Sequence, residues 1–172
     1  VNVCLRHGDP YYPWTPPKQL PLQFLFSGIN LYSGEADWGV LPQAEHQYDD
    51  SLVADFATDY LENLSRKKLG KPFFLACGFF HPHLPWYTPR RYLDLYPPEE
   101  IHVPENLPED LDDIPRPGRR LAEKKSGDLR RLRETGRWRT AIQHYLASIS
   151  FADALVGRVL ESLRNSRASS NT

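Results

Sequence analysis

The chain has 172 residues, enough for one domain with a sizeable core. Hydrophobic residues make up 40% and charged residues 25%, the balance of a globular chain rather than a disordered one. A net charge of -1 excludes wholesale electrostatic binding to nucleic acid or to a membrane surface, and no apolar run is long enough to span a bilayer.

Val1 opens the chain and methionine is absent, so we expect a processed chain or a fragment. Residues 1–48 have little periodicity. Pro10, Pro13, Pro16, Pro17 and Pro21 break any helix. Tyr11, Tyr12, Trp14, Phe24, Phe26, Tyr32 and Trp38 are interspersed with them, which predicts a long packed loop covering another surface. Cys4 and Cys77 lack the spacing of a thiolate metal site. Cys77 reads as a buried small hydrophobe, and a disulfide between the two is an open alternative.

A helix is predicted over residues 50–67. Asp49 or Asp50 suits its cap. Val53, Phe56, Ala57, Tyr60, Leu61 and Leu64 form its apolar stripe, and Lys67, Lys68 and Gly70 suit its end. Phe73 to Phe80 follow as an apolar run, which predicts a strand buried on both faces of a sheet. Helix, glycine and strand in that order are half of a βαβ unit. The fold class is therefore α/β, a mostly parallel sheet flanked by helices with long Pro-rich loops.

The loop His81–Thr88 leaves the carboxyl end of that strand, where open α/β sheets place ligands. Thr88 is expected to cap a short helix with Pro89 at its first position. Tyr92, Leu93 and Tyr96 give that helix an apolar side, and Pro97-Pro98 stop it. Residues 97–118 are proline-rich and acidic, whereas residues 116–139 carry ten Lys or Arg against three Asp or Glu. Two readings of this basic stretch stand side by side: a solvated loop with a frayed helix start, and an anion-attracting lid near a site. Nucleic-acid binding is a third, but no recognised fold accompanies the charge. Residues 137–164 form a long helix of roughly 40 Å. Its stripe runs through Trp138, Ala141, Ile142, Tyr145, Ile149, Ala152, Leu155, Val156, Val159, Leu160 and Leu163, and Gly157 suggests a close backbone approach.

The residues that invite chemistry are His81-Pro82-His83. As a bare metal pattern this is weak, because no third and fourth ligands are evident nearby, and packed loop histidines are the plain alternative. Position argues for function. Pro82 and Pro85 restrict the loop and pre-organise the His83 imidazole, and Trp86 and Tyr87 supply an aromatic wall. His144 and Asp153, on the long helix, read as structural, and His7, His46 and His102 as surface or loop residues.

The run Lys71–Pro85 resembles the K-P-F-F-L-A-x-G-x-x-x-P-H-x-P segment of the type I sulfatases, especially their iduronate-2-sulfatase-like branch. Asp37-Trp38-Gly39 and Ser51–Ala57 precede it as in that family, and Tyr92-Leu93-Asp94-Leu95-Tyr96-Pro97 follows it. His144–Asp153 through Gly157–Leu160 is similar to the family's Y-x-A-S-x-S-x-x-D-x-x-x-G-x-x-L helix. The resemblance spans residues 37–165. It implies a partial alkaline-phosphatase-like fold and the central part of a catalytic domain, with residues 1–48 as loop region, residues 49–165 as core segment and the flanking parts missing. It implies a hydrolase of sulfate esters, with sulfated carbohydrates as substrates, and a periplasmic, extracellular or lysosomal location; that no nucleic acid or membrane is a partner is expected from the net charge. By the same resemblance His83 is the sulfate-binding catalytic histidine; His81, where relatives often carry Lys or Arg, and Trp86 of the aromatic wall are further substrate-binding candidates from their place in the loop. The formylglycine nucleophile and the Ca2+ ion that the family uses are expected outside this chain. Cys4 is followed by Leu5-Arg6-His7 rather than x-P-x-R, Cys77 also lacks that motif, and Asp49-Asp50 reads as a cap rather than a metal site. The isolated chain is accordingly expected to be inactive. Two rivals accompany this reading: a phosphoester hydrolase of the wider alkaline-phosphatase superfamily, and a scaffold that binds sulfated glycans without turnover.

Overall fold

The computed structural model of the chain describes residues 37–66, 72–105, 107, 109–125 and 127–172. Most of the proline- and aromatic-rich stretch, Cys4 and His7 fall outside the described residues. A short strand β1 (Trp38–Gly39) leads through a 3-10 turn into helix α1 (Asp49–Arg66). Strand β2 (Trp86–Tyr87) and the single-turn helix α2 (Arg90–Leu93) follow. Helices α3 (Arg116–Lys125), α4 (Gly127–Glu134) and α5 (Trp138–Arg164) complete the described elements. β1 and β2 pair in parallel, Trp38 with Trp86 and Gly39 with Tyr87. The architecture is thus mixed, helices around a small parallel sheet, as expected for part of an α/β fold. No helix among the described residues is long and apolar enough to cross a membrane.

The core lies where α1, α2 and α5 meet. Leu41, Tyr48, Ala54, Tyr92, Leu93, Ala147, Phe151 and Leu155 form one buried cluster. Small residues set its geometry. Ser51, Ala54 and Ala57 on α1 are buried, as are Ala147 and Ser148 on α5, so the two helices approach closely. The buried face of α1 is therefore rotated from the expected stripe: Ala54, Ala57 and Leu61 face inward, whereas Val53, Phe56 and Tyr60 are half-buried. On α5 the buried side is Ala141, His144, Ala147, Ser148, Phe151 and Leu155. Tyr145, Ile149, Val156 and Leu160, which belong to the expected stripe, remain exposed. A helix apolar on two sides does not declare in sequence which side is buried.

Four further expectations are corrected. Residues 73–80 form neither strand nor helix, and Phe74 is 93% exposed. Extended backbone becomes sheet only where neighbours take its N–H and C=O groups, and among the described residues only β1 and β2 pair. Cys77, on the same run, is exposed and free rather than buried. The basic stretch is helical, not a loop. α4 ends in a Schellman motif, with Gly136 at φ 66°, Gly136 N donating to Arg133 O at 3.0 Å and Arg137 N to Leu132 O at 2.8 Å. Among the described residues Gly157 makes no close approach, since a Cβ there would meet none of them within 4 Å.

Candidate functional site

The loop between residues 80 and 87 is held by α1, its own backbone and the sheet. Its main anchor is Asp50, in the first turn of α1. One carboxylate oxygen, Oδ1, accepts from Phe80 N at 2.8 Å. The other, Oδ2, accepts from His81 N at 2.9 Å and pairs with His81 Nδ1 at 2.6 Å. Asp50 was one of two candidates, with Asp49, for the helix cap. Its carboxylate instead serves backbone and side chain some 30 positions later in the chain. Thr88 is no cap either: its hydroxyl is buried without a partner, its N–H extends the sheet to Gly39 O at 3.2 Å, and Pro89 occupies the cap position of α2.

Burial alone pushes the Asp50 carboxyl up. The hydrogen bond and charge of His81, with the Phe80 and His81 amides, more than offset this and hold it below the usual carboxylate range. Neighbouring Asp49 shifts the other way, raised by burial and by the Asp50 charge.

The two histidines of the motif part company. His81 turns inward. Its Nε2 donates to Tyr87 O at 3.0 Å, its side chain is 10% exposed against 4% for Asp50, and its ring meets the edge of Phe151 at 5.2 Å. His83 is exposed at the tip of the loop. Its backbone N–H donates to Phe80 O at 3.0 Å, its ring lies 4.8 Å from that of Phe80, and Nδ1 donates to Leu84 O at 2.7 Å. A carbonyl only accepts, so this bond assigns a proton to Nδ1.

Trp86 closes the loop. Its Nε1 donates to Pro82 O at 2.9 Å. Its ring stands 6.3 Å from Trp38 and 5.4 Å from the exposed Tyr145. Tyr87 OH donates to the buried Asp37 at 2.6 Å. Burial, with the Asp37 carboxylate, pushes the Tyr87 hydroxyl up. Leu132 of α4 packs on the small cluster of Trp38 and Ala141 together with Leu84 and Trp86, which seats the basic helix beside the loop.

Behind the loop lies His144 of α5, buried, with Nδ1 unpartnered and a backbone hydrogen bond to Trp86. Burial pushes its imidazole down to about 4; the Arg90 charge adds to this and Asp37 opposes it. The unfolded chain binds a proton near the ordinary value of 6.5, which the folded chain refuses until about 4. Stability is therefore undiminished above the upper value and falls as pH drops through this window, by about 3 kcal/mol in all. Urea midpoints measured from pH 7 to pH 4 should show this slope, and His144→Leu should flatten it. An unchanged slope in the variant would assign the acid sensitivity to other groups.

Among the described residues no group of three or more His, Cys, Asp or Glu side chains could hold a metal ion. Asp50 and His81 are committed to each other and to the loop backbone. His46 and His102 are exposed, as read from the sequence.

A family model described as Sulfatase matches residues 7–172. The chain belongs to the sulfatase family. A sulfatase of Formosa agariphila is 39% identical over 143 residues, covering 79% of this chain and 26% of the relative. Iduronate 2-sulfatase of Mus musculus is 28% identical over 201 aligned residues, covering 99% of this chain and 34% of the relative. Choline-sulfatase of Rhizobium meliloti is 29% identical over 168 residues, covering 94% and 32%. The chain thus spans about a quarter to a third of the length of these sulfatases. In sequence Asp50 reads only as a cap, Asp37 only as part of a motif and Tyr87 only as an aromatic wall; their hydrogen bonds that frame the loop join residues tens of positions apart and leave no sequence signal.

Proposed function

We propose that the complete gene product hydrolyses sulfate esters of carbohydrates, and that this chain supplies the sulfate-facing His83. The observation that carries the reading is an exposed imidazole on an anchored loop, in a chain of the sulfatase family. With Nδ1–H given to Leu84 O, the Nε2–H of the protonated ring is the donor that, beside a sulfate oxygen, stabilises the negative charge that grows as the ester bond breaks. Protonated, the same group delivers a proton to the departing oxygen. The formylglycine and calcium implied by the resemblance come, in this reading, from outside this chain. The chemistry assigned to it is confined to binding, orientation and proton transfer at His83.

Two features support a sulfated carbohydrate as the substrate class. Trp86, with Tyr145 beside it, offers aromatic surface to the apolar face of a sugar ring. Arg130, Arg131, Arg133 and Arg137 are exposed on and just after the helix that packs beside the loop, a positive field suited to a polyanion. In this proposal His81 contributes by holding the loop.

The test is release of inorganic sulfate from a sulfated disaccharide by the complete gene product, compared with phosphate release from its phosphorylated counterpart. Sulfate release is expected to dominate. Faster turnover of the phosphate ester, or binding of the disaccharide with no release, would overturn the proposal.

A further inference from the structure

We propose that Asp50 and His81 act together as a positioning clamp that sets the orientation of the His83 imidazole. This rests on the role given to His83 above and extends it to residues that need not touch the substrate. Residues 80–85 form no strand or helix, so their backbone polar groups need partners from elsewhere. Two successive amides, Phe80 N and His81 N, converge on the Asp50 carboxylate at 2.8 and 2.9 Å. Hydrogen bonds to an ionised acceptor are roughly twice as strong as neutral ones, and this carboxyl is held below its usual range.

The His81 ring completes the clamp by joining the two ends of the loop. Nδ1 meets Asp50 at 2.6 Å on the entry side, and Nε2 meets the Tyr87 carbonyl at 3.0 Å on the exit side. Tyr87 is itself tied by its hydroxyl to Asp37 at 2.6 Å. His83 stands between these ends. Its backbone N–H donates to the carbonyl of Phe80, and its ring rests 4.8 Å from the Phe80 ring. Asp50 therefore fixes the residue that supports His83 from both main chain and side chain. A catalytic group displaced by about 1 Å loses on the order of 10²-fold in rate.

The measurements are kcat and KM for a small aryl sulfate ester, using the complete gene product. The variants are Asp50→Asn, His81→Asn, His83→Ala and the double variant Asp50→Asn/His83→Ala, each checked by circular dichroism for an intact fold. Asp50→Asn cannot accept from both amides and is expected to lower kcat by about 10²-fold with a smaller change in KM. His81→Asn keeps an N–H toward Asp50, loses the tie to Tyr87, and should lose less. In the His83→Ala background Asp50→Asn should add little, because the group it positions is gone. Equal losses in both backgrounds, or an unchanged kcat, would overturn the clamp.

A second readout is independent of turnover. The ring nitrogen resonances of His83 in histidine-labelled protein should shift and broaden in Asp50→Asn, and unchanged resonances would also overturn the clamp. Absent sulfate turnover in the wild type, or near-normal activity of His83→Ala, would count against the function proposed for His83 instead. The resonances then decide the clamp alone.

Discussion

Replacing His83 with alanine in the complete gene product should lower kcat for a sulfate ester by about 10²–10³-fold, the loss typical when one pre-organised donor to a developing oxyanion is removed. Structural damage does not account for a fall of this size. His83 is exposed, and substitutions at exposed sites away from special features shift stability by about 0.5 kcal/mol or less. Its side-chain bond to Leu84 O closes within the loop, while the loop's main anchor is Asp50. Initial rates at saturating ester, read beside thermal midpoints, separate the two causes. A large kcat loss at an unchanged midpoint is expected. Near-normal kcat would remove His83 from the chemistry, however well the loop is held.

Phe151→Ala should be the most damaging core substitution, costing about 3–5 kcal/mol. Phe151 is fully buried. Its ring contacts Tyr48 at 5.7 Å, Tyr92 at 5.2 Å and His81 at 5.2 Å, so one side chain joins the approach to α1, helix α2 and the histidine loop to α5. Those contacts come from separate elements with their own anchors, which limits how far they can collapse into the space left behind. Urea denaturation of the complete gene product, followed by tyrosine and tryptophan fluorescence, measures the cost. A loss under about 1 kcal/mol would show that the neighbours close the cavity. Because the ring supports His81, sulfate turnover should also fall in Phe151→Ala at temperatures where the variant is still folded.

These two residues differ in how far the sequence announces them. His83 stands out as the second histidine of a proline-bracketed pair following an apolar run. Phe151 is one apolar residue among many on a helix whose two sides are both apolar, and the expected stripe omitted it while including Tyr145, Ile149, Val156 and Leu160, which are exposed. Periodicity locates helices because their backbone bonds close within a few residues. It does not say which of two apolar faces a neighbour will cover. The same limit explains residues 73–80, whose composition is that of a buried strand, while strand pairing depends on residues distant in sequence.

The sequence by itself determined the family, the two long helices to within a few residues, and the loop that presents His83, since each is written in contiguous residues or in spacing along one element. Only the tertiary structure decided the frame around that loop. It paired β1 with β2, turned His81 inward while leaving His83 outside, and assigned Asp50 to the loop rather than to the cap of its own helix. A carboxylate at a helix start can serve its own first turn or a partner tens of residues away. That choice is made by which donors packing brings within about 3 Å, and packing is a property of the folded chain.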